Sequence, residues 1–168
     1  MEGGEVNPHA GEPLPPLEIP VTRTLIVSGA LASRDFQDVH HDAEAAREKG
    51  SPDIFMNILT TNGLVGRYVT GWAGPHAALR KVAVRLGVPA YPGDTLALSG
   101  RVTAVTYEAP EAPGGESATV EVAVRGAGRL GDHVTGTVTV TLRTAAGQEG
   151  ASPGEERGAA PADRKDAS

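Results

Sequence analysis

The sequence predicts an α+β domain in which an antiparallel sheet wraps one long buried helix. Three observations carry that expectation. The stretch 54–74, IFMNILTTNGLVGRYVTGWAG, is apolar on several helical faces. Four later segments alternate apolar and polar residues with period two. The Gly, Pro and Asp clusters between those segments are too short for parallel crossovers, which need a dozen or more residues, so neighbouring strands pair as hairpins.

Each element has its own warrant. Residues 21–31, VTRTLIVSGAL, are β-branched and apolar and read as a first strand or extended segment. DAEAAREKG has helical composition and stops at Gly50, and Ser51-Pro52-Asp53 reads as a helix start. Along 54–74, Ile54, Ile58, Thr61, Val65 and Val69 fall at helical spacing while Phe55, Leu59 and Leu64 occupy other faces, so this helix is expected to be buried nearly all round. KVAVRL, DTLALSGRVTAV, SATVEVAVRG and HVTGTVTVTLR are the strands, divided by turns such as Pro92-Gly93-Asp94 and Pro113-Gly114-Gly115.

Composition bounds the rest. A chain of 168 residues supports one domain. The absence of cysteine excludes disulfides, thiolate metal sites and a cysteine nucleophile. The N-terminus lacks the basic start and apolar run of a signal peptide, and no stretch approaches the roughly 20 apolar residues of a membrane span. A soluble cytoplasmic protein is expected. Residues 1–19 hold four Glu and no Lys or Arg, residues 144–168 five acids against three bases, and 20–143 twelve of each. A charge-balanced centre argues against a nucleic-acid surface, which needs a clustered basic face. The proline-rich start and the end, TAAGQEGASPGEERGAAPADRKDAS, offer little to bury and are expected to be disordered tails of a folded unit spanning 20–143.

The stretch Ala32-Ser33-Arg34-Asp35-Phe36-Gln37-Asp38-Val39-His40-His41-Asp42 resembles the MaoC-like hydratase motif S-G-D-x-N-P-I-H-x-D, and 84–96, VRLGVPAYPGDTL, is similar to that family's strand-turn-strand signature. The resemblance implies a hot-dog fold. More narrowly, RDFQDVHHD with DIFMNILT, GLVGRYVT and WAGP after it is similar to the small MaoC-like subunit of the two-subunit enoyl-CoA hydratases of actinobacterial steroid side-chain degradation. That likeness implies an acyl-CoA substrate, coenzyme A as part of the substrate with no separate cofactor, and a heteromer with a larger MaoC-like subunit, or else a homodimer. Arg34 and Asn57 stand where the family commonly has glycine.

Hydrating an enoyl thioester needs a base for water, an acid for the α carbon and donors for the thioester oxygen. The resemblance places the water-holding carboxylate and imidazole on Asp35 and His40, which can converge only if the chain bends between them. Donors are expected at the start of the long helix, read as near Asp53, with Asn57 and Phe55 as candidate oxyanion and substrate-binding positions. Asp38 and Asp42 read as structural, Asp42 orienting the loop or capping the helix that follows, and His41 as solvated or as a neighbour supporting the site from behind.

Other signals carry less. GAGRLG at 126–131 fits a dinucleotide fingerprint by letter, but a strand pattern follows it, so it reads as a hairpin turn. His40-His41-Asp42 lacks the spacing of a metal site, and no metal is expected. Arg80, Lys81 and Arg85 are candidates for coenzyme A phosphates or a solvated strand. His9 falls in the tail, and His76 and His133 read as structural. Two further readings stay open: a hot-dog thioesterase, disfavoured because 54–70 holds no carboxylate, and a non-catalytic subunit shaping a partner's acyl site.

Overall fold

The computed structural model describes residues 7–108 and 117–143. Five antiparallel strands form one sheet in the order β1-β3-β4-β5-β2, where β1 is Pro13–Val21, β2 Ala78–Leu86, β3 Asp94–Glu108, β4 Ser117–Gly128 and β5 Gly131–Arg143. Between β1 and β2 come α1 (Arg23–Ala32), a 3-10 turn (Asp38–His40), α2 (Ala43–Glu48) and the long helix α3 (Ile58–Ala73). The hairpin prediction holds for β3, β4 and β5, and the Gly-rich 126–131 segment is the tip of the β4–β5 hairpin, with the turn itself at Arg129-Leu130. Among the described residues no helix is long and apolar enough to cross a membrane.

Alternation places one face of the sheet in the core: Val120, Val122 and Val124 of β4 and Val134, Val138 and Val140 of β5 are buried. Helix α3 lies against β1, β2, β3, β5 and α1. It buries Leu64, Val65, Tyr68, Val69 and Ala73. Burial raises the Tyr68 phenol above its ordinary pKa, since the charged form would lose its hydration.

Four expectations need correction. The segment 1–19 is not wholly tail, because Pro13–Val21 pairs with β3 as an edge strand. Its prolines obscured it. Proline lacks an N–H for the ladder but is tolerated at an edge or a bulge, and the register shifts where Pro15 and Pro16 lie, between Leu14 and Leu17. Residues 21–31 are mostly helix rather than strand. Thr22 caps Leu25 N at 3.0 Å, and Ile26 and Ala30, one helical turn apart, are the buried positions of α1, so packing overrides β-branched propensity. Helix α3 starts at Ile58, not near Asp53, because Phe55 N and Met56 N bond Val39 O and Ala90 O in extended backbone. Nor is α3 covered all round: Ile58, Leu59, Gly63, Arg67 and Gly71 face outward. The C-terminal tail 144–168 and the turn at 113–115 lie outside the described residues.

Candidate active site

The site begins where α1 ends. Asp35 N donates to Ala30 O at 2.9 Å and Arg34 N to Leu31 O at 3.1 Å, a Schellman close that requires a left-handed residue at position 34. Arg34 supplies it at φ 57°, where glycine is the usual choice. This close turns Asp35 off the helix axis. The 3-10 turn then reverses the chain, with His40 N on Gln37 O at 3.0 Å, and this is the bend that convergence demanded.

Asp35 Oδ2 lies 3.4 Å from His40 Nε2, the histidine side chain 7% and the aspartate 17% exposed. His40 Nδ1 is 2.7 Å from the Phe55 carbonyl oxygen, which can only accept, so Nδ1 carries the hydrogen. In a neutral ring Nε2 then presents a lone pair toward a carboxylate oxygen that also presents one. A water bridging the two would donate one hydrogen to each. Two acceptors so placed can hold one water between them. The Phe55 ring meets the His40 ring edge-on at 5.0 Å and Tyr91 at 6.2 Å, closing the apolar side of the imidazole.

The Asn57 side chain takes a role beside the oxyanion or substrate position expected of this residue. Its side-chain Nδ2 donates to Asp35 Oδ2 at 3.0 Å and to Ser33 Oγ at 2.9 Å, while Oδ1 accepts from Thr60 N at 3.0 Å as the cap of α3. The amide therefore holds the carboxylate. At the head of α3 the backbone N–H groups of Ile58 and Leu59 have no intrahelical acceptor. Phe55 enters through its carbonyl, which anchors His40. Ser33 was missed as a contributor, although it stands in the motif; its hydroxyl returns to Gly29 O at 2.7 Å and receives Asn57.

The remaining candidates lie apart. His41 is exposed, with Nε2 3.2 Å from Phe36 O. Asp42 Oδ1 caps α2 through Glu44 N at 2.9 Å and Ala45 N at 3.1 Å. Asp38 pairs with Lys49, whose hydrogen bond holds its carboxyl below the usual range. His9 pairs with Glu12, and His76 is exposed. Arg80 Nε donates to Thr141 Oγ1 at 3.0 Å, and Lys81 and Arg85 are exposed on β2. His133 is buried. Among the described residues no group of three or more His, Asp or Glu is placed to hold a metal ion.

A helix laid on an antiparallel sheet, with a carboxylate and an imidazole meeting before its first turn, defines a hot-dog domain with an acid–base site. The chain belongs to the MaoC-like domain family, whose model, described as MaoC like domain, matches residues 5–112. It is 51% identical over 133 residues to the 3-oxo-4,17-pregnadiene-20-carboxyl-CoA hydratase beta subunit of Mycobacterium tuberculosis (strain ATCC 25618 / H37Rv), covering 79% of this chain and 95% of that protein. Among solved structures it is similar to a chain of the ChsH1-ChsH2 complex from Mycobacterium tuberculosis, with TM-score 0.72 and 51% identity, covering 80% of this chain and 98% of that one. The (R)-hydratase from A. caviae involved in PHA biosynthesis shares the fold at TM-score 0.67 and 19% identity, covering 81% of this chain and 98% of that one.

Proposed function

We propose that this protein is the small subunit of an enoyl-CoA hydratase that adds water across a trans-2-enoyl-CoA to give the 3-hydroxyacyl-CoA. The observation that carries the reading is the Asp35–His40 pair at 3.4 Å, locked from behind by the Phe55 carbonyl and the Asn57 amide. The water oxygen bonds to the β carbon as the pair takes one of its protons. Charge moves to the thioester oxygen, where the free N–H groups and positive dipole end of α3 meet it. A proton then returns from the pair to the α carbon. Water is consumed whole, and both side chains regain their starting state. Coenzyme A enters as part of the substrate, and the reaction needs no further cofactor.

The names of the mycobacterial relative and of its complex support a bulky steroid-derived acyl group and a heteromer, whose other subunit we take to be a larger MaoC-like chain. Exposed Leu31 and Phe36, which flank the Schellman close, and Ile58 and Leu59, in the first turn of α3, support an apolar neighbour on this side of the domain. We place the enzyme in the cytoplasm, in keeping with a chain that has no cysteine. The thioesterase reading is weaker, because α3, Ile58–Ala73, carries no carboxylate.

The test is hydration of steroid and simple 2-enoyl-CoA substrates by the chain with and without its larger subunit. Asp35→Asn and His40→Ala are each expected to lower kcat roughly 10²–10⁴-fold with folding and assembly unchanged. Near-normal turnover in both variants would sink the assignment. Release of free thiol would favour the thioesterase, since hydration frees none.

A further inference from the structure

Apart from the Tyr68 phenol, the buried polar side chains among the described residues are His40, Asn57, Thr61 and His133, at 5%, 2%, 0% and 2% exposure. They form one line. His133, on β5, has Nδ1 2.7 Å from Val88 O and Nε2 2.9 Å from Thr61 Oγ1. Thr61, in the first turn of α3, reaches the Asn57 carbonyl through its N–H at 3.2 Å and its hydroxyl at 3.2 Å. Asn57 then holds Asp35 Oδ2 at 3.0 Å, which faces His40 Nε2 at 3.4 Å.

The proton inventory orders this line. The Val88 carbonyl can only accept, so His133 Nδ1 carries hydrogen, and in a neutral ring Nε2 accepts. The single Thr61 hydroxyl hydrogen then has two acceptors in reach, and the imidazole at 2.9 Å is nearer than the carbonyl at 3.2 Å. Within this line His133, Thr61 and Asn57 are then each hydrogen-bonded, since the Thr61 N–H still serves the Asn57 carbonyl. The two histidines thus share a plan: each has Nδ1 tied at 2.7 Å to a backbone carbonyl, leaving Nε2 to face its partner. The 88–90 segment joins both ends, because Ala90 O receives Met56 N at 3.0 Å. A merely packed position would be cheaper to fill with an apolar side chain, since burying polar groups is favourable only when all are paired.

We infer that His133 is a positioning residue for the hydration reaction, acting through Thr61 to set the first turn of α3 and with it the Asn57 amide that aims Asp35. This rests on the hydratase reading above. Neither His133 nor Thr61 touches the Asp35–His40 pair, so their loss is felt in turnover rather than in substrate binding.

The experiment uses the full chain assembled with its larger subunit and measures steady-state hydration of a 2-enoyl-CoA. His133→Phe and the near-isosteric Thr61→Val are each expected to lower kcat about tenfold with KM within about twofold, as a small misplacement of a reacting group does. The double variant is expected to be no worse than either single, because both break one connection. Thr61→Ser, which keeps the hydroxyl, and His133→Gln, whose amide oxygen can accept it, restore most of the loss. Should His133→Phe fail to fold, Thr61→Val and Thr61→Ser carry the same comparison. Wild-type kcat in the single variants, or a double variant whose losses multiply, overturns the inference and leaves the hydratase reading intact if Asp35→Asn is inactive. An assembled wild-type enzyme that hydrates no enoyl-CoA overturns both.

Discussion

Asn57→Ala removes three hydrogen bonds with different consequences, and these can be separated. The Oδ1 cap on Thr60 N contributes about 1 kcal/mol to stability. The Nδ2 bond to the Asp35 carboxylate, as a buried bond to a charged group, contributes roughly 1.5–3 kcal/mol. Together they predict a loss of about 2.5–4 kcal/mol, which for a domain of this size lowers Tm by about 10 °C. Under the proposed hydration, turnover is expected to fall about 10- to 100-fold, since Asp35 is freed to rotate away from His40. Asn57→Ser separates the two effects. Serine caps a helix as well as asparagine does, but its hydroxyl is too short to reach Asp35. About 1 kcal/mol of stability should return relative to Asn57→Ala without recovery of kcat. Thermal unfolding by circular dichroism and steady-state hydration by the assembled enzyme measure the two quantities on the same preparations. If Asn57→Ala keeps wild-type kcat, or if kcat in Asn57→Ser recovers in step with Tm, the amide is not what holds the carboxylate.

Three other predictions rest on separate features. Arg34→Gly is expected to stabilise by roughly 0.5–1 kcal/mol, the left-handed penalty of an L side chain of about 1–2 kcal/mol less the added freedom of glycine when unfolded, read by urea unfolding. A stability loss would show that the Arg34 side chain contributes more than its backbone strain removes. At Gly29 an added Cβ would lie 2.2 Å from Thr60 Oγ1, so Gly29→Ala is expected to cost about 1–3 kcal/mol by overpacking α1 on α3, and Thr60→Ala in the same chain to recover most of it; no recovery would place the strain elsewhere. Arg23 clamps Asp53 at the head of the loop that leads to Asn57, and this hydrogen bond lowers the Asp53 pKa. A depressed carboxylate contributes stability above its unfolded pKa and loses it as pH falls through the folded value, so Asp53→Asn should be less stable than wild type at neutral pH and equal to it in strong acid. An unchanged gap in urea midpoints at both pH values would refute that linkage.

Some of this architecture was readable one residue at a time. The period-two runs from Lys81 onward became strands, because alternation alone tells a strand which face to bury. Asp42 signalled its capping role through residue type and place. The Asp35–His40 pair was legible only as a motif, since five-residue spacing says nothing of a bend until the Schellman close and the 3-10 turn are seen. Helix α1 was misread because the β-branched Thr24, Ile26 and Val27 favour strands locally, whereas the cap at Thr22 and the close approach of Gly29 to Thr60 favour a helix. β1 was missed although Leu17, Ile19 and Val21 alternate, because Pro15, Pro16 and Pro20 argue against a strand until an edge position is known.

Local chemistry therefore determined the residue types at the site, the strands of the hairpins and the existence of one long helix, all of which depend on neighbours a few positions apart. Tertiary packing decided where that helix begins, which carbonyl fixes each buried histidine, and that the Asn57 side chain grips Asp35. Those outcomes depend on atoms brought together from Ser33, Phe55, Val88 and His133, whose distances are set by how α1, α3 and β5 pack and by no spacing along the chain.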